Sequence, residues 1–193
     1  MIVEPIPKKP VPLGYRRQLA WLIRQMDRYE VTGVEIGVAG GNLSHYLLNR
    51  LPGLRLYMVD PWYEVSEDDC YRHSGSGMAA KKQVWWDAMF TRACKVAELY
   101  PARGLIMRLR SLDVADILVV EPDFVFLDGD HSEHSVHADL RAWWKKLKPG
   151  GLLSGHDYGR PRFPAVKPCV DKFAASIGKS VNFDKKIWWL WKD

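Results

Sequence analysis

The chain has 193 residues, of which 47% are hydrophobic and 26% are charged. This composition is typical of a globular protein with an ordinary core and excludes an intrinsically disordered chain. The formal net charge is +5, but the basic residues are dispersed and no tract exceeds two residues, as in Lys145-Lys146. The dispersion argues against a nucleic acid as the substrate.

The N-terminus and the cysteines give an expectation for the compartment. Residues 1–5 lack the basic region and apolar core of a signal peptide, and no apolar run approaches the roughly 20 residues that a membrane-spanning helix needs. Cys70, Cys94 and Cys169 show neither a C-x-x-C motif nor a metal-ligand spacing. We therefore expect a cytoplasmic protein with reduced thiols and no membrane attachment.

The first 29 residues divide into an arm and a helix. Prolines at positions 5, 7, 10 and 12 forbid a helix, so we predict an extended arm over residues 1–14. The arm would pack on the domain or on a neighbouring chain, which leaves a homo-oligomer open. Residues 15–29 have apolar side chains at helical spacing and predict an amphipathic helix.

Strand-like and helix-like segments then alternate along the chain. We predict strands at 33–37, 54–60, 105–109, 123–128, 151–155, 180–183 and 187–191. We predict helices from a cap at Asn42 or Ser44 to Leu51, and at 79–99, 114–119, 133–147 and 166–176. Residues 61–78 are irregular and polar, and we predict a mobile loop there. This order predicts one α/β domain over residues 15–193, with a doubly wound, mostly parallel, seven-stranded sheet whose last two strands form an antiparallel pair at its edge.

The turn after the strand at 33–37 is rich in glycine, and the following strand ends in an acid. The turn runs from Glu35 to Asn42 as E-I-G-V-A-G-G-N, and the acid is Asp60. Glycines let a backbone approach a ligand closely, and a carboxylate can accept both hydroxyls of a ribose. The next glycines follow Gly37 by three and four residues, unlike the G-x-G-x-x-G motif of dinucleotide enzymes. A turn that serves only helix–strand packing is the alternative.

Acids and histidines follow the strands at 123–128 and 151–155. The first of these strands runs into Asp128-Gly129-Asp130-His131, and the second runs into His156-Asp157. The carboxyl ends of adjacent parallel strands meet at one edge of a sheet, and clustered carboxylates repel unless a cation or a proton lies between them. Oxygen-rich clusters suit Mg²⁺ or Mn²⁺, and an added imidazole extends the choice towards Fe, Zn or Mn.

Several nearby polar residues have a structural alternative. Ser111 or Asp113 suits the N-cap of the helix at 114–119, and Asp130 suits the N-cap of the next helix. His134 and His137 lie three residues apart on that helix, where such pairs are typically solvated, so we assign them no role.

Two segments resemble motifs of a known family. The E-x-G-x-x-G-G pattern at 35–41 resembles motif I of class I S-adenosylmethionine-dependent methyltransferases. The stretch from Asp123 to Tyr158, with D-G-D-H-S, A-D-L, W-x-x-L-K-P-G-G and G-H-D-Y, closely resembles a subfamily of small class I methyltransferases. Relatives of that subfamily include macrolide sugar O-methyltransferases that use Mg²⁺. The resemblance spans about residues 30–160.

The resemblance implies roles for individual residues. Asp60 would hold the ribose of S-adenosylmethionine, Asp128 would bind a metal ion, and His131 would be the general base. Asp157 would be a second metal ligand, but the relatives carry an acidic pair where this chain has His156 before it, which leaves open whether an ion is bound. The expected cofactor-binding residues are Glu35, Gly37, Val38, Ala39, Gly41, Asn42, Asp60, Pro61, Trp62, Ser111, Leu112, Asp128 and Gly129. The expected catalytic residues are His131 and Asp128, and the expected metal ligands are Asp128, Asp157 and His156.

The activity that the resemblance implies is methyl transfer to an oxygen of a small molecule, such as a sugar or phenolic hydroxyl. Two alternatives remain open from the sequence. One is a protein that binds the methyl donor without transferring the methyl group, and the other is a metal-dependent hydrolase or oxygenase that uses only the D-G-D-H and H-D elements. An amino-methylating DNA enzyme is disfavoured because D-G-D-H stands where such enzymes have N-P-P-Y.

Overall fold

Seven strands and six α-helices alternate along the chain in a computed structural model that describes residues 14–67 and 69–193. The strands are β1 (Val31–Ile36), β2 (Leu54–Val59), β3 (Gly104–Met107), β4 (Phe124–Leu127), β5 (Leu152–Gly155), β6 (Asn182–Asp184) and β7 (Ile187–Trp191). The helices are α1 (Tyr15–Arg24), α2 (Asn42–Arg50), α3 (Gln83–Glu98), α4 (Ser111–Ile117), α5 (Glu133–Lys146) and α6 (Val166–Ser176). The predicted arm, apart from Gly14, lies outside the described residues.

The strands form one sheet in the order β3-β2-β1-β4-β5-β7-β6. The first five strands of this order run parallel to one another, and β7 is antiparallel to both β5 and β6. The predicted doubly wound, mostly parallel sheet with an antiparallel pair at its edge is therefore confirmed. The order reverses between β1 and β4, so the carboxyl ends of these two strands mark the switch point where such folds bind ligands.

Helices cover both faces of the sheet. One face packs against α4, α5 and α6 through residues such as Val125 and Leu140, and the other packs against α1, α2 and α3 through residues such as Phe124 and Leu47. Burial on both faces explains why β4 is continuously apolar and why five of the six residues of β1 are buried. No helix of the described residues is long and apolar enough to cross a membrane.

Two predicted features at the start of the domain are wrong. Helix α1 ends at Arg24 instead of residue 29, because Asp27 adopts a left-handed backbone with φ of 52° that a helix cannot continue through. Neither Asn42 nor Ser44 caps α2, since the helix begins directly after Gly41 and has no side-chain cap. The Ser44 hydroxyl instead donates a hydrogen bond to Glu35 Oε2 at 2.6 Å.

The capping alternatives for the later helices are also not realised. Ser111 is the first residue of α4 and Asp113 lies inside its first turn, while the residue at the N-cap position makes no side-chain cap. Ser132 caps α5, with its hydroxyl accepting from the Ser135 amide. Asp130 supports that cap by accepting from the amide and hydroxyl of Ser132.

Candidate active site

The glycine-rich turn lies where the ends of β1 and β4 approach each other. The Asp128 amide donates to the Ile36 carbonyl at 2.9 Å, which ties the two strand ends together. Gly37 has φ of +88°, and a Cβ built there would collide with the Asp128 carbonyl. Glycine is therefore required by the close approach of the two backbones, and both strand ends open onto the same space.

Asp60 connects the turn to the segment that follows β2. Its Oδ2 accepts from the Ala39 amide at 2.9 Å, and its Oδ1 accepts from the Trp62 amide at 2.8 Å. Burial raises the pKa of Asp60 to about 6, against the lowering effect of these backbone hydrogen bonds. Each carboxylate oxygen has more than one lone pair, so Asp60 can hold both loops and still accept from a ligand hydroxyl.

Two predicted cofactor residues, Trp62 and Glu35, have buried side chains beside the turn. Trp62 is fully buried, and its Nε1 donates to the Ala39 carbonyl at 2.7 Å. Glu35 is buried beneath the turn, and that burial raises its pKa to about 8 although the hydrogen bond from Ser44 lowers it. These side chains shape the turn from within the core.

A cavity of about 500 Å³ opens at the carboxyl edge of the sheet, which is within the usual size range of small-molecule sites. The predicted residues that line it are Gly37, Ala39, Asp60, Pro61, Ser111, Leu112, Asp128 and Gly129. The predicted site residues that do not line it are Glu35, Val38, Gly41, Asn42, Trp62, His131, His156 and Asp157.

The cavity is also lined by residues outside the predicted cofactor-binding set. Among them are Tyr63, Val65 and Tyr71 from the loop at 61–78, and Trp86, Arg110, His134 and Asp139. His134 is exposed on α5, as expected, and also lines the cavity.

Ser111 and Asp139 form a hydrogen-bonded pair in the cavity wall. The Ser111 hydroxyl donates to Asp139 Oδ1 at 2.6 Å and accepts from Trp143 Nε1 at 2.8 Å. Burial raises the pKa of Asp139 to about 7, and the Ser111 hydrogen bond opposes that shift. The start of α4 is thereby tied to the second turn of α5.

Beside the cavity, Asp128, His131 and Asp157 bring three ligand-type atoms within 4.8 Å of one another. His131 Nε2 lies 3.0 Å from Asp157 Oδ2 and 3.6 Å from Asp128 Oδ1. The His131 ring stacks on Phe163 with centroids 4.1 Å apart. Strands β4 and β5 thus place the two acids on either side of one imidazole.

His156 and Arg160 surround the same acids. His156 Nδ1 lies 3.1 Å from Asp157 Oδ1 and 3.8 Å from Asp128 Oδ1, and the Arg160 guanidinium lies 2.8 Å from Asp157 Oδ1. Burial opposes ionisation of Asp157, but the hydrogen bonds from His131, His156 and Arg160 hold its pKa well below the usual range. Asp157 is therefore a carboxylate that cationic side chains already neutralise.

The two acids also set the charge of His131. Burial alone would lower the pKa of His131, but hydrogen bonds and charges from Asp128 and Asp157 raise it to about 9. Without an ion between the acids, the imidazole is protonated at neutral pH and cannot accept a proton. His131 can therefore act as the predicted general base only after it has lost this proton.

A family model described as "Methyltransferase domain" matches residues 34–158. The chain belongs to this family. The matched residues run from β1 to the segment after β5, so they include the glycine-rich turn and the cavity walls from β2 to α5. They also include Asp128, His131 and Asp157, which form an acid–histidine cluster.

One sequence relative and several solved structures are similar to this chain. An uncharacterized protein of Acanthamoeba polyphaga mimivirus is 25% identical over 166 residues, which cover 81% of this chain and 65% of the viral protein, so the chain spans less than two thirds of that relative. The O-methyltransferase NovP matches with a TM-score of 0.69 at 16% identity, over 92% of this chain and 78% of NovP. An O-methyltransferase from Bacillus cereus in complex with SAH (S-adenosylhomocysteine) matches with a TM-score of 0.62 at 18% identity, over 97% of this chain and 84% of that one. These structures confirm the methyltransferase fold.

The acid–histidine cluster of this methyltransferase-domain protein fits a divalent cation. Two carboxylates and one imidazole converge within 4.8 Å, and a cation would take over the charge compensation that His131 and Arg160 now provide for Asp157. Carboxylates with one imidazole suit Mn²⁺, Fe²⁺ or Zn²⁺, and carboxylates with water suit Mg²⁺.

Proposed function

We propose that the chain is an S-adenosylmethionine-dependent enzyme that methylates an oxygen of a small-molecule acceptor, such as a sugar or a phenol. The observation that carries this proposal is the convergence of Gly37, Asp60 and Asp128 on one cavity of about 500 Å³. Family membership and the SAH-bound structure of similar fold support the choice of methyl donor.

The sheet order supports an assignment of each part of the donor. Asp60 at the end of β2 accepts the ribose hydroxyls, and Ser111 and Leu112 after β3 face the adenine. Asp128 and Gly129 after β4 face the methionine part, beside the acid–histidine cluster. When bound, the donor supplies a methyl group on a sulfonium, and the protein contributes by holding donor and acceptor in line.

The acid–histidine cluster would help the acceptor hydroxyl to lose its proton. Asp128 and Asp157, with His156 or His131, would hold a divalent ion, which when bound lowers the pKa of a hydroxyl that it contacts. His131 Nε2 is the candidate proton acceptor, and it becomes competent once the imidazole is neutral. In the structure this nitrogen faces Asp128 and Asp157 while the ring stacks on Phe163, so proton transfer to it requires that Nε2 be released from the two acids.

The test is transfer of labelled methyl from S-adenosylmethionine to a panel of sugars and phenols, with and without chelator. Transfer to a hydroxyl supports the proposal. Donor binding without product on any acceptor favours the binding protein, and hydrolysis or oxidation without any need for the donor favours the metal enzyme.

A pair of variants tests the role of His131. His131 does not line the cavity, so His131→Ala should lower turnover by roughly 10²–10⁴-fold while SAH affinity stays close to that of the parent. His137→Ala, a half-buried residue of α5 that does not line the cavity, should leave both unchanged. Loss of metal affinity in His131→Ala would assign the imidazole as a ligand, and full turnover would place the base elsewhere, with His156 next.

A further inference from the structure

A groove rich in tryptophan lies between α1 and β7 and shares no lining residue with the donor cavity. We call it the tryptophan groove. It has a volume of about 440 Å³ and is lined by Trp21, Leu22, Gln25, Met26, Gly150, Trp189 and Trp191. The two tryptophans of β7 point to the same side of the strand, because side chains alternate along it, and Trp21 faces the groove from α1.

The three groove tryptophans have an open apolar face and an unused polar atom. Each side chain is only partly buried. Among residues 14–67 and 69–193, none of their Nε1 atoms donates a hydrogen bond. Indole rings pack on other apolar groups, and an indole N–H needs an acceptor once it is covered. The groove therefore suits a partner that offers apolar rings and free carbonyl oxygens.

A proline-rich segment has this chemistry. Prolines carry apolar rings and no N–H group, and the carbonyls of a polyproline II chain take part in no internal hydrogen bond. Grooves lined by aromatic side chains bind P-x-x-P segments in this way. Residues 1–13 of this chain contain four prolines and include Pro7-Lys8-Lys9-Pro10.

The position of Gly14 puts this segment within reach of the groove. Gly14 is the N-cap of α1, and Gln25 is the C-cap of the same helix and lines the groove. At 1.5 Å per residue the two caps are about 16 Å apart, whereas residues 1–13 in polyproline II would span about 40 Å. The segment can therefore fold back along α1, and the high effective concentration within one chain favours this over binding to a second molecule.

The charges of the segment match the two edges of the sheet. Gly14 lies at the carboxyl edge, because α1 starts beside the residues that follow β5. Asp184 is opposite the first residue of β7, also at the carboxyl edge, and Arg28 lies at the amino edge beside the turn before β5. A segment that folds back from Gly14 therefore brings Lys8-Lys9 past the acid before Glu4 reaches the guanidinium.

We propose that the tryptophan groove binds the proline-rich segment of the same chain, with Pro7-Lys8-Lys9-Pro10 packed on the three indole rings. Docking covers the open sides of the indoles and gives their N–H groups carbonyl partners. The donor cavity is left open, because it lies elsewhere on the domain.

The test uses the full chain labelled with 5-fluorotryptophan and ¹⁹F NMR, with each resonance assigned from a Trp→Phe variant. The double change Pro7→Ser and Pro10→Ser should shift the resonances of the three groove tryptophans. The buried Trp62 and Trp143 report on the core and should not move, and neither should Trp86, which lines the donor cavity. A shift of Trp86 without the groove tryptophans would place the segment over the donor cavity and overturn the proposal, as would no shift at all.

A groove variant tests the same contact from the other side. Gln25 is exposed, and Gln25→Arg adds bulk and a positive charge where the lysines of the segment would dock. Trypsin cleavage between Lys8 and Lys9 reports the undocked population and should become about tenfold faster in this variant, which corresponds to about 1.4 kcal/mol. Asn49→Arg adds the same charge at an exposed position of α2 and should keep the parent's rate. Equal rates in all three proteins would overturn the proposal.

Sedimentation equilibrium distinguishes the same chain from a second copy. The parent and the Pro7→Ser, Pro10→Ser protein should have the same mass in solution. A parent dimer that becomes a monomer in the double variant would overturn the proposal and assign the groove to the segment of a second molecule.

Discussion

Replacement of Glu35 by glutamine tests whether the acid under the glycine-rich turn is neutral in the folded protein. Glu35 lies on β1 with 2% exposure, and its recorded hydrogen bond is from the Ser44 hydroxyl at 2.6 Å. Burial raises its pKa from 4.5 to about 8. A glutamine carbonyl can accept the same hydrogen bond, so Glu35→Gln closely imitates the protonated acid.

The sign of the effect follows from the raised pKa. The unfolded chain releases the Glu35 proton near pH 4.5, and the folded protein keeps it until about pH 8. The parent therefore loses stability as the pH rises through this window. At about 1.4 kcal/mol per pKa unit, the loss is on the order of 4–5 kcal/mol, and the glutamine variant lacks it.

The assay is urea unfolding of both proteins at pH 5 and pH 8, followed by tryptophan fluorescence. The stability of Glu35→Gln relative to the parent should rise by several kcal/mol between the two pH values. Glu121→Gln, an exposed control, should show no such rise. An equal difference at both pH values would mean that Glu35 is ionised in the folded state and would refute the reasoning.

Three further predictions concern the turn, the ribose site and the ion. Gly37→Ala should lower the free energy of unfolding by about 3 kcal/mol or more, because φ is +88° and the new Cβ meets the backbone after β4. The control Gly159→Ala, with φ of +70° and open space around the new Cβ, should lower it by about 1 kcal/mol. Equal melting temperatures for the two variants would contradict this prediction. Asp60→Asn should weaken SAH binding by about 10- to 100-fold in calorimetry. In the variant, an amide nitrogen replaces one carboxylate oxygen, and that oxygen accepts a hydrogen bond from a backbone N–H in the parent. Unchanged affinity would mean that Asp60 is not part of the site. Millimolar Mn²⁺ should raise the melting temperature of the parent but not of Asp157→Asn, and a rise in both would place the ion elsewhere.

The sheet topology could be predicted because each strand and helix has a recognisable pattern within a short stretch of sequence. Each buried strand reads as a short apolar run followed by a turn, and the alternation of such runs with helical periods leaves few topologies. Residue 60 and the D-G-D-H segment could be placed at one sheet edge for the same reason. The antiparallel edge pair also followed from two short strands at the end of the chain.

The orientation of individual side chains was not predictable from local pattern. Trp62 lies two residues after Asp60 and was predicted to bind the cofactor, but its indole is buried and donates to the Ala39 carbonyl. Glu35 likewise turns inward to Ser44. These choices depend on partners more than eight residues away, which a single sequence does not specify.

The explanation for Gly37 also required the structure. The sequence suggests that a side chain there would fill ligand space, whereas the structure shows that it would strike the backbone after β4. The charge of His131 is a similar case, since its raised pKa depends on an acid from a different strand, Asp157. In both cases the deciding neighbour comes from an element that is distant in sequence.

The most direct test of the proposed donor site is backbone amide hydrogen exchange with and without SAH. A second cavity, of about 440 Å³ and lined by Trp21, Trp189 and Trp191, lies apart from the proposed site and serves as the internal comparison. The proposed site predicts slower exchange on SAH binding in four segments: 37–41, 60–63, 110–113 and 128–130. Slower exchange around the second cavity with no change in those four segments would contradict it.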